Sequence, residues 1–179
     1  QLRATGPVIT GPFHLERYMR IGVVSDTHNN LANCRKIVAL FNEAEVDLVI
    51  HTGDVTQAKT IDVFSDLSMP MIGVFGNNDV ERESLEPAIA RAGFEFFNPP
   101  YECELAEKSI CIVHDPLEFP EGYESRFDVS LHGHTHRFLY EKSEAHLAFN
   151  PGECAGMMKG LNAIGVVDLV QMNAEVIKF

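Results

Sequence analysis

An α/β fold of one domain, with two β-sheets packed on each other, is the architecture that this sequence predicts. Three observations point to it. In the first half of the chain, short apolar runs alternate with segments of helical periodicity, which is the pattern of βαβ units around a parallel sheet. In the second half, short β-rich runs separated by turn signals replace the helical periodicity, so a mixed or antiparallel second sheet is expected. The length of 179 residues suits a single core of ordinary size.

Composition and charge narrow the kinds of partner that the chain can bind. Hydrophobic residues make up 45% of the sequence, and no apolar run approaches the roughly 20 residues of a membrane span, so we expect a globular cytoplasmic protein without membrane contact. The formal net charge of -12 argues against a nucleic-acid partner. Four cysteines without a CxxC pair predict free, buried or half-buried thiols in a reducing compartment. The sequence leaves a homo-oligomer open.

The first residues of the chain do not resemble the rest. Residues 1–18 contain two Gly-Pro pairs and lack the apolar core of a signal peptide. Met19 directly precedes the first apolar run. We therefore expect residues 1–18 to be an N-terminal extension or a cloning remnant, and residues 19–179 to form the functional domain.

The first predicted strand begins at Ile21, and the apolar run is followed by Asp26 and His28. Residues just past the carboxyl end of a buried parallel strand lie in the crevice where open α/β sheets bind ligands. A carboxylate and an imidazole can begin a metal site but do not complete one. A complete metal site therefore requires further ligands, from other parts of the chain, at the same edge of the sheet.

Two more strands of the first half also end in polar residues. The second begins at Leu48, and the third begins at Met71. Their polar tips are Gly53-Asp54 and Gly76-Asn77-Asn78-Asp79. Glycine allows the tight turn that directs such a side chain toward the strand end. Taken alone, the first of these tips is better explained by an ordinary turn.

Three helices are predicted around these strands. The first follows two asparagines with capping side chains and ends before Asp47, and the second is shorter and is broken by Pro70. Ser84 is expected to cap the third helix, with Pro87 in its first turn. The apolar residues that define the inner faces are Leu31, Cys34, Ile37, Val38, Phe41, Ile61, Phe64, Leu67, Leu85, Ile89 and Ala92.

Eight short β-rich runs follow Phe94, and we expect them to build the second sheet. They cover residues 95–97, 101–105, 109–114, 129–131, 138–141, 147–149, 163–169 and 176–179. One run ends in His114, and another is followed by three histidines at positions 132, 134 and 136. Gly133 is expected to break that strand, so only two of the three histidines should converge on one site.

Five motifs now stand in order along the chain. They are Asp26-x-His28, Gly53-Asp54, Gly76-Asn77-x-Asp79, His114 and Gly133-His134-x-His136. With these motifs the sequence resembles the calcineurin-like metallophosphoesterase superfamily, and within it the small single-domain bacterial and archaeal phosphodiesterases. The resemblance covers nearly everything from Met19 onward. It implies a four-layer αββα sandwich of the α/β class, in which two packed mixed β-sheets are flanked by helices.

The resemblance also implies a site for two divalent metal ions. The implied ligands are Asp26, His28 and His136 for one ion, Asn77, His114 and His134 for the other, and Asp54 for both. Carboxylate, amide and imidazole donors without thiolate suit manganese first, with iron, zinc, nickel or cobalt as alternatives. Two such ions roughly 3.5–4 Å apart lower the pKa of a bound water from 15.7 toward about 7, and the resulting hydroxide attacks phosphorus.

We therefore expect a metal-dependent phosphoesterase, and a phosphodiesterase in particular, acting on a small-molecule phosphate ester. The expected catalytic residues are Asp54, Asn77 and Asp79, with Asp79 acting by orienting a ligand or a neighbouring side chain. The alternative function is that of a metal-binding protein-interaction scaffold, similar to the retromer subunit of this fold, with little or no activity. The complete set of ligands favours the enzyme.

Two positions depart from the family pattern. Asn78 stands where many members have a histidine that can protonate the leaving oxygen, so we expect a preference for esters with good leaving groups. Asp115 stands where relatives often have glycine, and it adds a carboxylate whose effect on specificity the sequence leaves open.

The remaining polar residues have weaker signals. The turn Asn150-Pro151-Gly152 resembles one that lies near the site in the family, although an ordinary loop is equally compatible. We expect the two histidines that precede ligand motifs, His51 and His132, to be structural. No motif supports a role for His14 or His146.

Overall fold

The structure of this chain is a computed structural model that describes residues 19–179. The expectations for residues 1–18, including His14, concern residues outside this range. The strands are β1 Arg20–Val24, β2 Leu48–His51, β3 Met71–Val74, β4 Glu95–Phe97, β5 Tyr101–Leu105, β6 Lys108–Ile112, β7 Val129–Leu131, β8 Leu139–Lys142, β9 Leu147–Asn150, β10 Ala163–Asp168 and β11 Asn173–Lys178. The helices are α1 Leu31–Ala44, α2 Ala58–Phe64, α3 Arg82–Arg91 and α4 Tyr123–Arg126, with a 3-10 helix at Pro116–Glu118.

Both sheets are mixed, as the resemblance implied. The first has the strand order β11-β10-β1-β2-β3-β4, in which β1 to β4 run parallel and β10 and β11 pair antiparallel. The second has the order β5-β6-β7-β9-β8, in which β6, β7 and β9 run parallel between two antiparallel edge strands. Parallel strands place their carboxyl ends at one edge of a sheet, and each sheet therefore presents such an edge.

Two apolar layers hold the sandwich together. One lies between the first sheet and the helices, and contains the buried rings of Phe41 and Phe64. The other lies between the two sheets, where Ile50 of the first sheet and Phe149 of the second belong to the same cluster. Gly165 in β10 leaves room for the Phe149 ring, because a Cβ there would collide with it. On the outer face of the second sheet, a smaller cluster packs against the segment that carries α4. The αββα layering is thereby confirmed.

We expected all eight late β-rich runs to belong to the second sheet, and this prediction is wrong for three of them. Strands β4, β10 and β11 belong to the first sheet, where β10 pairs with β1 and β4 pairs with β3. Without them, both outer edges of the parallel β1-β2-β3 unit would expose unpaired backbone groups. The sequence shows which segments are strands, but the pairing partner at an edge depends on contacts between distant parts of the chain.

The expected start of α3 is also wrong. The helix begins at Arg82 with Glu81 as the N-cap residue, so Ser84 lies inside it and donates a hydrogen bond from its hydroxyl to the Glu81 carbonyl. Pro87 consequently lies beyond the first turn. Arg82 accounts for the earlier start, because its guanidinium lies over the Phe75 ring and donates to the Asp79 carbonyl. Within residues 19–179, no helix has the length and apolar character needed to cross a membrane.

Candidate metal centre

All seven expected ligands lie just beyond the carboxyl ends of parallel strands. Three strands of the first sheet, β1, β2 and β3, deliver Asp26, His28, Asp54 and Asn77. Two strands of the second sheet, β6 and β7, deliver His114, His134 and His136. The two edges face each other, so the side chains converge from both sheets on a common region.

One set of side chains gathers around the Asp26 carboxylate. Its Oδ1 atom lies 3.4 Å from His136 Nε2 and 3.7 Å from His28 Nε2. The two imidazole rings are stacked with their centroids 5.3 Å apart. His28 Nε2 also lies 3.4 Å from Asp54 Oδ2, which joins this set to the next one.

The second set gathers around the Asn77 side-chain oxygen. Asn77 Oδ1 lies 3.0 Å from His114 Nε2 and 3.0 Å from His134 Nδ1, and these two nitrogens are 3.3 Å apart. His114 Nε2 also lies 3.4 Å from Asp54 Oδ2. A single carboxylate oxygen of Asp54 is therefore within 3.4 Å of one histidine from each set.

The arrangement fits divalent cations. Asp26 Oδ1 and His28 Nε2 are buried, and neither has a hydrogen-bond partner among residues 19–179. Buried polar atoms without a partner cost free energy unless a cation or water satisfies them. Two groups offer donor atoms that all lie within 4.8 Å of one another: Asp26 with His28 and His136, and Asp26 with Asp54 and His114. The donors are those that intermediate divalent metals prefer.

Neighbouring groups fix the orientation of the carboxylates. Asp26 Oδ2 accepts a hydrogen bond of 2.6 Å from the Ser25 hydroxyl and one of 3.0 Å from the His134 backbone N–H, which leaves Oδ1 facing the histidines. Asp54 accepts from both the backbone N–H and the side-chain amide of Asn78, at 2.8 Å and 2.7 Å. Ser25 was not singled out in the sequence, where its position beside Asp26 is the only signal.

Asp79 supports the centre through hydrogen bonds to the backbone of the loops that carry the expected ligands. Its carboxylate accepts hydrogen bonds from the backbone N–H groups of Asp54, Thr56 and Gly76. These contacts join the loop after β2 to the loop after β3, and they direct the Asp79 carboxylate to the backbone rather than to the ligand side chains. Burial is the main reason that the pKa of Asp79 lies above its ordinary value.

The two carboxylates of the centre create an electrostatic environment that favours bound cations. Burial by itself would raise the pKa of Asp26 and of Asp54. The nearby His28 imidazole and the Ser25 hydroxyl lower the pKa of Asp26, and the nearby His114 imidazole and the Asn78 amide lower that of Asp54, so both pKa values lie below their ordinary range. Burial lowers the pKa of His114, but the Asp54 carboxylate 3.4 Å away overcomes this effect and raises the pKa to about 9. Two ionised carboxylates in a buried site attract positive charge, which protons on the histidines supply when no metal is bound.

The backbone at the centre adopts a conformation that the sequence did not reveal. Five of the seven expected ligands have a positive φ: Asp26 (53°), His28 (40°), Asp54 (62°), His134 (63°) and His136 (54°). Residues other than glycine rarely occupy this left-handed region, and such strain concentrates at functional sites. The concentration of positive φ values here is independent of the side-chain chemistry.

The other histidines of the described range make internal hydrogen bonds. His51 Nδ1 accepts from the Gly53 N–H, so its Nε2 atom is the donor to the Thr27 hydroxyl. His132 and His146 use Nδ1 to donate to backbone carbonyls. Of the three histidines after β7, two reach the centre and His132 does not.

Two polar residues at the edge of the centre have defined contacts. Asn150 is fully buried, and its side-chain amide donates to the Gly133 carbonyl and to the Thr135 hydroxyl. It thereby holds the loop that carries His134 and His136. Asp115 lies on the opposite side of this loop, with its carboxylate 3.5 Å from His134 Nε2.

The fold and the centre together define a class of protein. Residues 19–172 match the model of the calcineurin-like phosphoesterase superfamily domain. The chain belongs to this superfamily. It is therefore a hydrolase of phosphate esters, in a superfamily whose members use divalent metals.

Particular relatives narrow the comparison. The chain is 34% identical over 162 residues to Phosphodiesterase MJ0936 of Methanocaldococcus jannaschii, covering 84% of this chain and 93% of the relative. A solved archaeal phosphodiesterase superimposes with a TM-score of 0.82 at 32% identity, covering 90% of this chain and all of the other. Vacuolar Protein Sorting 29 of Cryptosporidium parvum superimposes with a TM-score of 0.60 at 17% identity, over 90% of this chain and 98% of the other, which shows a shared fold alone.

Proposed function

We propose that this chain is a phosphodiesterase that works with two divalent cations, manganese first among them. The observation that carries the proposal is the position of Asp54 Oδ2, which lies 3.4 Å from His28 Nε2 and 3.4 Å from His114 Nε2. An oxygen shared in this way suits a bridging ligand between two cations that would otherwise repel each other. The identity to an archaeal phosphodiesterase supports the choice of a diester substrate.

The proposed roles follow from the contacts of each side chain. One cation would be held by Asp26, His28, His136 and Asp54, and the other by Asp54, Asn77, His114 and His134. When bound, two divalent ions stabilise charge on the phosphoryl oxygens and lower the pKa of water toward about 7.

Supporting residues would preserve this geometry. Asn78 holds Asp54 through two hydrogen bonds, and Asp79 holds the backbone of the same residue. His114 donates from Nδ1 to the Thr52 carbonyl, which leaves its Nε2 lone pair directed at Asn77 and Asp54.

Metal analysis and hydrolysis of a diester test the proposal. The protein should retain about two divalent ions per chain after reconstitution with manganese, as the shared carboxylate requires, and should hydrolyse bis-p-nitrophenyl phosphate. Asp54→Ala should lower kcat/KM by about 10³-fold or more, because it removes a ligand from both sets. Asp66→Ala is the matched control, since Asp66 is an exposed aspartate that follows α2 and is not one of the expected ligands.

The same experiment separates the enzyme from the interaction scaffold. A scaffold would bind metal without hydrolysing either a diester or a monoester. Hydrolysis that survives both chelation and Asp54→Ala would also defeat the proposal, because the activity would then not depend on the centre.

A further inference from the structure

Asp115 places a negative charge beside the open side of the centre. Among the expected ligands, His114 and Asp54 have side chains that are only 2% exposed, whereas the His134 side chain is 40% exposed. The centre therefore opens toward solvent next to His134. The Asp115 carboxylate lies on this side, 3.5 Å from His134 Nε2 and 31% exposed.

The position of this carboxylate is fixed by local hydrogen bonds. Asp115 precedes the 3-10 helix Pro116–Glu118, and its Oδ1 atom accepts from the Leu117 N–H at 2.9 Å. In return, Glu118 Oε2 accepts from the Asp115 N–H at 3.0 Å and from the His114 N–H at 3.2 Å. The capping box ties Asp115 to the backbone of a ligand, so the charge cannot turn away from the centre without breaking the cap.

No nearby cation neutralises this charge within the described part of the chain. His134 is the partner of the Asp115 carboxylate, and no lysine or arginine of residues 19–179 lies within 4.0 Å of it. The Glu118 carboxylate adds a second negative group next to the same opening. A substrate that enters beside His134 therefore approaches an acidic rim.

We propose that Asp115 is a specificity-determining residue that selects singly charged phosphodiesters over doubly charged phosphomonoesters. This inference rests on the proposed function and names the substrate class of the same centre. A diester carries one negative charge at neutral pH, whereas a monoester carries close to two, because its second pKa is about 6. Repulsion by a partly exposed carboxylate a few ångströms away disfavours the extra charge by about fivefold.

The test compares the hydrolysis of two substrates by three proteins: the wild type, Asp115→Asn and a matched control. Asp115→Asn removes the charge and keeps the cap, because asparagine is also a good N-cap residue. The matched control is Asp168→Asn, whose carboxylate caps the turn after β10 through Val170 and Gln171. Asp168 pairs with Arg20 at the amino end of β1, away from the edge that carries Asp26.

The expected result is a change in the ratio of kcat/KM for the monoester to kcat/KM for the diester. In Asp115→Asn, kcat/KM for p-nitrophenyl phosphate relative to bis-p-nitrophenyl phosphate should rise about fivefold at pH 8, and 0.5 M salt should shrink the change. Asp168→Asn should leave the ratio unchanged. An equal loss of both activities in Asp115→Asn would show that Asp115 only orients His134, and would overturn the proposal.

A binding measurement does not depend on turnover. Calorimetry with inorganic phosphate on manganese-loaded protein should give a Kd that is about fivefold lower in Asp115→Asn than in the wild type at pH 8. Equal phosphate affinity in the two proteins would overturn the role of Asp115. Absence of any hydrolysis in the wild type, together with tighter phosphate binding by Asp115→Asn, would instead defeat the proposed function and leave the selectivity of the site standing.

Discussion

Asn78 lies next to the Asp54 carboxylate, at the position where the sequence pattern of the superfamily has a histidine that can protonate the leaving oxygen. Its side-chain amide donates to Asp54 Oδ2 at 2.7 Å, so it helps to position this carboxylate. An amide cannot transfer a proton to a leaving alkoxide at neutral pH. Asn78 thus contributes to the architecture of the centre, and we expect the departure of the leaving group to depend on its own basicity.

A histidine at position 78 should restore the missing acid. In Asn78→His, kcat/KM for alkyl phosphodiesters should rise at least about tenfold, whereas hydrolysis of bis-p-nitrophenyl phosphate should change less than about threefold, because a good leaving group needs no proton. Asn78→Ala serves as the control and should lower both rates. Equal rates of the wild type on the two substrates would contradict this explanation.

His51 is a buried histidine whose protonation opposes folding. Burial lowers its pKa from the ordinary value of 6.5 to about 3. Because the folded-state pKa is the lower one, the unfolded chain binds the proton first as the pH falls. The contribution of neutral His51 to the stability of the folded state is therefore fully present above pH 6.5 and is lost as the pH falls toward 3.

Unfolding at several pH values tests this contribution. The wild type should lose about 2 kcal/mol of unfolding free energy relative to His51→Gln between pH 8 and pH 5 in the presence of a chelator. His28 and His114, whose pKa values are raised, have the opposite sign but are common to both proteins and cancel. Parallel stability profiles of the two proteins would disprove the role of His51.

For single residues, the identity of the candidate ligands was predictable from the sequence, whereas their backbone conformation was not. The seven candidate ligands were implied by the resemblance of five short motifs to a superfamily pattern, and their residue types agree with metal chemistry. The positive φ values at Asp26, Asp54 and His134 had no signal in the sequence, since none of these residues is a glycine. The contact of Asp115 with His134 depends on the fold and could not be inferred from sequence spacing.

The loop after β7 passes close to the loop after β1. A Cβ on Gly133 would collide with the Ser25 hydroxyl and lie 2.8 Å from Asp26 Oδ2. The absence of a side chain at Gly133 therefore lets this loop reach the loop after β1. That approach brings His136 to the Asp26 carboxylate.

Adding one methyl group should separate these two loops. In Gly133→Ala, the affinity for manganese should fall by about 10–100-fold, because the collision displaces Asp26 and its supporting hydrogen bonds. Gly165→Ala is the matched control: its Cβ would collide with the Phe149 ring between the sheets, which lowers stability without touching a ligand. Manganese titration and urea unfolding of both variants check the prediction, and equal metal affinity would refute it.

Most elements were predictable because their periodicity is local. The strands β5 and β7 have the predicted bounds, and α1 follows the capping asparagine Asn30, whose side chain accepts from the Asn33 N–H. The start of α3 was not predictable from capping preference, since the contact of Arg82 with Phe75 involves the end of another strand. Local signals therefore defined most elements, but they did not give the start of α3 or several ends of late strands, such as the start of β11 at Asn173.

For the whole molecule, the sequence predicted two sheets but not the distribution of strands between them. The first sheet closes both sides of its parallel unit with late strands, β10 and β4. The β1–β10 pair is antiparallel and joins segments from opposite ends of the described chain, so local sequence patterns do not identify it. The centre lies where the carboxyl edges of the two sheets meet, and its position was therefore predictable from strand direction even where strand order was not.

The sharing of Asp54 between both ligand sets limits how such a protein can diverge. A change at His28 or at His114 removes a donor from one set and leaves the other side chains in place. A change at Asp54 affects both sets at once, because the same oxygen faces a histidine of each. In the proposed two-ion centre, a change at one histidine would therefore weaken the site of one ion, whereas a change at Asp54 would weaken both sites, and the layered scaffold would persist after either change.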